Sequence, residues 1–342
     1  ENKEHFIRNC EHREVEQILI SNTTLNDALN RPQREIAIAH PGRCLRPLAG
    51  MSPKSIEKLL EQAAQFRARR KAGRWLRVEQ AHTRDAALFQ ATAETLGYRG
   101  NSLAMQILSQ RCRLDWLRAD VEAAQSVMFG TAGFLAPELH QQAPAETRGY
   151  LRNLWDLWWK SRFRFETDRS RTIPWKTHGQ RPANHPHRRV GALSVLAQSW
   201  PTFRKLALAS PFSAKPLVDF LQSLEHPFWS FHYTLTSERQ PRKISLFGRS
   251  HALELIANHL APIALHEERM TWKSYHQIRH SAANDQVKRC AIRLFGSLDT
   301  ARPWTRRLCH HQALIQIYQD FCLNDYSDCS LCQFPEQLAQ WR

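Results

Sequence analysis

A mainly α-helical, multi-helical fold with one small β-hairpin is what this sequence predicts, on three observations. Apolar residues recur at helical spacing over most of the chain, strands and helices do not alternate as a parallel βαβ sheet requires, and no internal repeat or low-complexity tract intervenes. A length of 342 residues with 42% hydrophobic content is enough for a real core, in one large domain or two ordinary ones.

The first 45 residues stand apart. HFIRN and VEQILI read as a strand followed by a strand or helix, and Pro32, Pro41, Gly42 and Pro47 then interrupt regular structure. Residues 1–45 are therefore expected to close an α/β region, with a helical domain over 46–342. The clearest helix begins at Ser52-Pro53, a residue that caps followed by a proline whose missing N–H costs nothing, and Ile56, Leu59, Leu60, Ala63 and Phe66 fall on one face. Its second half, FRARRKAGRWLR, reads equally as a solvated helix end favoured by the macrodipole or as a phosphate-contacting patch.

Helices are predicted over Thr83–Leu96, Asn101–Cys112 and about Ala119–Phe129, with a turn at Gly130 and Gly133. The aromatic-rich AETRGYLRNLWDLWWKSRFRF presents a wide apolar surface, read as core rather than as a base-stacking platform. Residues 168–187 are polar and rich in turn formers, and a sub-boundary is placed in the loop 168–180. Short helices follow at Thr202–Ala209 and Ala214–Leu224. HYTLTSERQPRKISLFG then reads as a hairpin, and helices resume at Ser250–Leu265, Asp285–Leu298 and Trp304–Phe321.

The stretch RPANHPHRRVGALSVLAQSW carries the first candidate site. With Asn184 or His185 as cap and Pro186 in the first turn, Val190, Leu193, Ala197 and Trp200 share one face. Arg189 then projects at its edge and Arg188 points away. A guanidinium beside a buried stripe needs a carboxylate, a set of backbone carbonyls or an anionic ligand. Either Arg181, Asn184, His185, Arg188 and Arg189 bind phosphate at the helix start, joined by Arg249 of GRSHALELIANHLAP, or Arg189 is paired internally and the prolines only fix the loop.

The second candidate is CLNDYSDCSLC, in which Cys322, Cys329 and Cys332 have C-x6-C-x2-C spacing. A C-x2-C step delivers two thiolates from one turn, which suits zinc or an iron–sulfur cluster. Cys309, His310 and His311 lie too far along a continuous helix to share the ion, the last by roughly 16 Å. A fourth ligand would come from a remote residue such as Cys290 or His280, or be absent. Structural cysteines without metal and a thiol pair with redox chemistry are the competing readings.

The formal charge is +16, from 48 Lys and Arg against 32 Asp and Glu, with a pI near 9.9, so nucleic acid is the first partner to consider. No segment approaches the roughly 20 apolar residues of a membrane helix. Eight scattered cysteines favour a reducing compartment, and the cytoplasm is the expected location. A metal-dependent nuclease needs clustered carboxylates, yet the Glu1-Asn2-Lys3 step has no preceding Asp, and no P-loop, dinucleotide fingerprint or His-Glu-x-x-His occurs. No catalytic residue is assigned.

FGTAGFLAP (129–137), RPANHPHRRVGAL (181–193), GRSHALELIANHLAPI (248–263) and QALIQIYQDFCLNDYSDCSLC (312–332), with HPGRCLRPL and AETLGYRGNSLAM, together resemble the bacterial family called domain of unknown function 2851. The most distinctive piece is R-P-x-N-x-P-x-x-R, here Arg181, Pro182, Asn184, Pro186 and Arg189. The resemblance implies an N-terminal region similar to a PD-(D/E)xK nuclease core followed by this helical part. FIRNCEHREVEQILI resembles the tail of that region, and the acidic residues of such a core would lie upstream of residue 1. The resulting expectation is a nucleic-acid-binding accessory region of a nuclease-like protein. A structural or protein-interaction module with a cysteine metal site is the alternative.

Overall fold

Helix after helix follows from Leu45 onward in the computed structural model, which describes residues 40–118, 120–165, 172–280, 283–323 and 329–341. The expected α/β remnant falls on residues 1–45, of which 1–39 lie outside the described residues. The short α1 (Leu45–Ala49) leads into α2 (Pro53–Ala81), the longest element. Ser52 caps α2 by accepting the Ser55 N–H at 3.1 Å, and Pro53 takes the first helical position. The buried face is Ile56, Leu59, Leu60, Ala64, Ala68, Ala72 and Trp75. Phe66, expected on that face, is instead 46% exposed. Alanines four residues apart leave a shallow groove, and α15 (Leu308–Ile317) lies along α2.

Thr83 and Asp120 cap α3 (Arg84–Leu96) and α5 (Val121–Thr131) by accepting the N–H groups of Ala86 and Ala123. Between them α4 (Tyr98–Arg111) packs on α3. The short α6 (Glu138–Gln142) is followed by α7 (Ala145–Ser161), which packs on α5 and buries Leu151, Leu154 and Trp158. Its aromatics are thus partly core, as expected, although Trp159 remains exposed. The described part of the polar loop is tied down: Asn101 exchanges two hydrogen bonds with the Lys176 backbone, and Trp175 donates to Ala132 O. One core runs from Cys44 to Leu338 across this loop.

At the centre sits α8 (Pro186–Gln198), every residue of which from Pro186 to Ala197 is buried. Beyond it come α9 (Trp200–Ala207) and α10 (Ala214–Ser223). The hairpin expected over 232–248 does not form. The chain does double back, with Gln240 N–H on Phe231 O and Ile244 N–H on Ser230 O, both at 2.8 Å, but no strand results. Pro241 cannot donate to a ladder, and the carbonyls that a ladder would use are taken by an arginine described below. Among the described residues, β structure is an isolated bridge between Arg279 and Arg307.

The next helical run is interrupted by a π turn: α11 (Arg249–Leu255), the turn Ile256–Leu260, then α12 (Ala261–His266). After α13 (Trp272–His276) and α14 (Asp285–Phe295), α15 also ends in a π turn, Tyr318–Cys322, before α16 (Phe334–Gln340). No described helix is long and apolar enough to cross a membrane.

Candidate functional site

The arginine-rich helix start splits into two halves. His185 caps α8, its Nδ1 accepting the His187 N–H at 3.3 Å, as the proline spacing predicts. Arg181 and Arg249 are exposed. Arg188 and Arg189 are not, at 0% and 3% exposure. Arg188, expected to point away from the core, donates to the carbonyl oxygens of Trp229, His232 (2.7 Å), Ile244 (2.8 Å) and Ser245 (3.1 Å). Arg189 donates to Leu246 O at 3.0 Å and to Asn184 Oδ1 at 2.8 Å. Of the three partners weighed from sequence, backbone carbonyls are the ones present. Burial pulls Arg188 down to about 10 and, with the Arg188 charge adding to it, Arg189 to about 9, so both stay charged at neutral pH. They fasten the 229–246 segment to α8 and are sealed from solvent, with Nε of each left without a hydrogen-bond partner.

The basic stretch of α2 has a different environment from a helix end. Because α2 continues to Ala81, Arg67, Lys71 and Arg74 lie in its interior, beyond reach of the macrodipole's last turn. They line a cleft of about 410 Å³, with Glu94 of α3, Tyr98 of α4 and Glu254 of α11. Asn258 and His259 reach the same cleft from the π turn. π turns inside α-helices widen one turn and recur at functional sites.

The direct partners of two of these cations are neutral amides. Arg67 donates to Gln312 (2.8 Å), Gln316 (3.3 Å) and Gln319 (2.8 Å), and Lys71 donates to Asn258 Oδ1. Amide oxygens satisfy the donors but leave the charges standing. Burial, reinforced by the Arg67 charge, holds the Lys71 ammonium well below its ordinary range, although Glu94 and Glu254 pull the other way. Burial and then the charges of Lys71 and Arg74 drive His259 down to about 3, so it is neutral. Arg74 pairs with Glu94 at 3.1 Å while keeping 55% of its side chain exposed.

Tyr98 forms part of the cleft wall at a backbone cost. Its φ of 49° is in the left-handed region, which a bulky residue enters at roughly 1–3 kcal/mol. The preceding Gly97 is required by close approach, since a Cβ there would sit 2.3 Å from Asn101 O. The tight α3–α4 junction leaves the Tyr98 ring 37% exposed, tilted against His251 at 6.2 Å.

The three C-terminal cysteines converge with two others. Cys44 lies within electrostatic reach of Cys332, Cys322 and Cys329, and Cys290 is hydrogen-bonded through its side chain to Cys322. Burial first, then these neighbours, pushes the Cys44 thiol up to about 12. Cys290 was weighed from sequence as a remote ligand, whereas Cys44 was missed because nearly the whole described chain separates it from the C-x2-C step. His280, the other remote residue weighed, packs against His311 at 4.8 Å between ring centroids.

Cys309 and His310, excluded from the cysteine site by spacing, belong to a separate cluster. Ligand atoms of His276, Cys309 and His310 lie within 4.8 Å of one another. Glu57 Oε1 accepts from His310 Nε2 at 2.9 Å and bonds His276 Nε2, with Arg307 at 3.5 Å. Burial pushes the Glu57 carboxyl up, but the bonds from His310 and His276 outweigh it and the net shift is downward. The adjacent Arg307 guanidinium supplies an ion pair to Glu57, and the hydrogen bonds to the two imidazoles tie α2, α13 and α15 together.

Comparison with known proteins places a family model over residues 1–288, that described as "Protein of unknown function (DUF2851)". No curated protein and no solved structure matches the chain.

Proposed function

The chain belongs to the DUF2851 family, whose description names no activity, and we propose from its geometry that it binds nucleic acid, with one nucleotide of a single strand seated in the α2 cleft. The carrying observation is that Arg67 and Lys71 are half-buried cations held by amide oxygens instead of carboxylates. Glu94 and Glu254 near Lys71, and Asp320 near Arg67, offset these charges only at a distance, and a phosphate entering the cleft would pair with them directly. Arg74, exposed at the rim, is free to swing from Glu94 to a second phosphate oxygen. Tyr98 offers a ring face on which any base can stack, the sequence-tolerant mode of single-strand binding.

The charge of +16 steers a polyanion to this surface. Exposed Arg181 and Arg249 are further backbone contacts in this reading, whereas Arg188 and Arg189 are scaffold. The volume, about 410 Å³, is that of an ordinary small-molecule site. Its charged lining, three cations against two carboxylates, suits a nucleotide better than an apolar ligand.

Fluorescence anisotropy with a labelled single-stranded oligonucleotide tests this. Arg74→Glu, a change at an exposed side chain that leaves folding intact, should weaken binding by tenfold or more, about 1.4 kcal/mol. Tyr98→Ala should cost on the order of 1–3 kcal/mol. Unaltered affinity in Arg74→Glu, or no binding by the wild-type chain at low salt, overturns the proposal.

A further inference from the structure

We propose that Cys44, Cys322, Cys329 and Cys332 are the four thiolate ligands of a bound thiophilic metal centre, zinc or an iron–sulfur cluster, with Cys290 donating a hydrogen bond to the Cys322 sulfur. Three chain segments meet there, and because the set whose ligand atoms already lie within 4.8 Å of one another among the described residues is His276, Cys309 and His310, the metal would draw these four sulfurs together on binding. The 40–44 segment docks on α14, where Gly42 N–H donates to Arg293 O at 2.9 Å. It also abuts the C-terminal loop so closely that a Cβ on Gly42 would lie 3.2 Å from Cys329 Sγ. Arg43 then threads into that loop, Nη1 donating to the carbonyls of Cys329 (3.1 Å), Ser330 (3.1 Å) and Cys332 (3.3 Å). The residue next to Arg43 is Cys44, so the same contact that fixes the loop delivers the upstream thiol to it.

The loop has the form a metal knuckle needs. Cys332 N–H returns to Cys329 O at 3.3 Å, closing the C-x2-C step into a tight turn. Cys329 holds a left-handed φ of 64°, a conformation non-glycine residues adopt at a cost. Arg293 Nη1 anchors the third segment by donating to Cys322 O at 3.2 Å.

The local charge is compatible with this assignment. When four thiols take up Zn²⁺ they release four protons to solvent, and the resulting centre is doubly negative. Two guanidiniums reach this loop region, Arg43, which also pairs with Glu336, and Arg293, so positive charge already stands near the sulfurs. Cys290, fully buried on α14, lies beside the Cys322 sulfur, the place from which outer hydrogen bonds support metal ligands.

The test is elemental analysis and visible absorption of the full chain, purified without oxygen or chelator from cells supplied with zinc and iron. About one zinc per chain without colour, or about four irons with broad absorption near roughly 400 nm, is expected and tells the two centres apart. Cys44→Ser should lose most of the metal, while Cys290→Ala and Cys112→Ser, the latter buried elsewhere, should keep it. If Cys44→Ser fails to fold, chelator added to the folded wild type must release metal and expose four thiols together to an alkylating reagent. Wild-type protein near zero in metal, with these cysteines alkylated or disulfide-linked, overturns the proposal. So does metal lost from Cys290→Ala and retained in Cys44→Ser, which would exchange their roles.

Discussion

Arg188 is a buried charge whose hydrogen-bond partners are all dipoles. Four carbonyls converge on one guanidinium, and removing it strands them in the interior at roughly 1–3 kcal/mol each where water cannot replace it. Arg188→Met should therefore destabilise the protein by about 3 kcal/mol or more in urea denaturation. A loss under about 1 kcal/mol would mean that the 229–246 segment finds other donors. Helical spacing singled out Arg189 but turned Arg188 outward, because a helical wheel assumes one wet face and α8 has none. Tyr98 presents the opposite trade. Tyr98→Asn removes a bulky residue from a left-handed backbone that asparagine tolerates, so stability should rise by roughly 0.5–1 kcal/mol while oligonucleotide affinity falls. Unchanged thermal stability together with full affinity would sever Tyr98 from the site.

At the scale of elements, the start of α2 was legible because Ser52-Pro53 states its own chemistry, a side-chain acceptor followed by a residue with no N–H. Ser52→Ala should cost about 1 kcal/mol, measured as a shift in urea midpoint with unchanged slope, and an effect below about 0.2 kcal/mol would mean that the helix is held by packing alone. Where α2 ends was less legible. Its basic run matches a helix terminus in composition, and only the continuation to Ala81 separates a terminus from a cleft wall. The π turns at 256–260 and 318–322 have no sequence signature, and the first of them carries Asn258 and His259 into the cleft. The hairpin was read from β-prone runs around a polar turn. Local propensity lost there to an arginine far away in the chain, which claims carbonyls that a strand would have paired. Cys44 was invisible for a related reason: ligand spacing is read locally, and its partners lie at the other end of the chain.

The whole molecule pairs a continuous core with an unusual store of neutral imidazole. Burial is the leading cause that holds His187, His251 and His259 down to about 3, and His185 and His226 to about 4. The unfolded chain takes up these protons near pH 6.5 and the folded chain does not, so stability is complete above about 6.5 and declines as pH falls from there toward 3. For the buried His187 alone the loss is on the order of a few kcal/mol across that window. Melting temperature should drop steeply between pH 6.5 and 4, and His187→Phe, which has no proton to gain, should flatten the drop. A flat profile in the wild type would show that these rings are solvated. In the proposed function the net charge acts at the same scale, drawing a polyanion to the surface while the cleft decides what is held. The dependence of oligonucleotide affinity on salt tests that claim most directly. If Lys71 and Arg74 neutralise two phosphates, the slope of log affinity against log salt should be shallower by about 1.4 in the Lys71→Ala/Arg74→Ala double variant than in the wild type. Equal slopes would contradict the account, since the charge that binds nucleic acid would then lie somewhere other than the cleft.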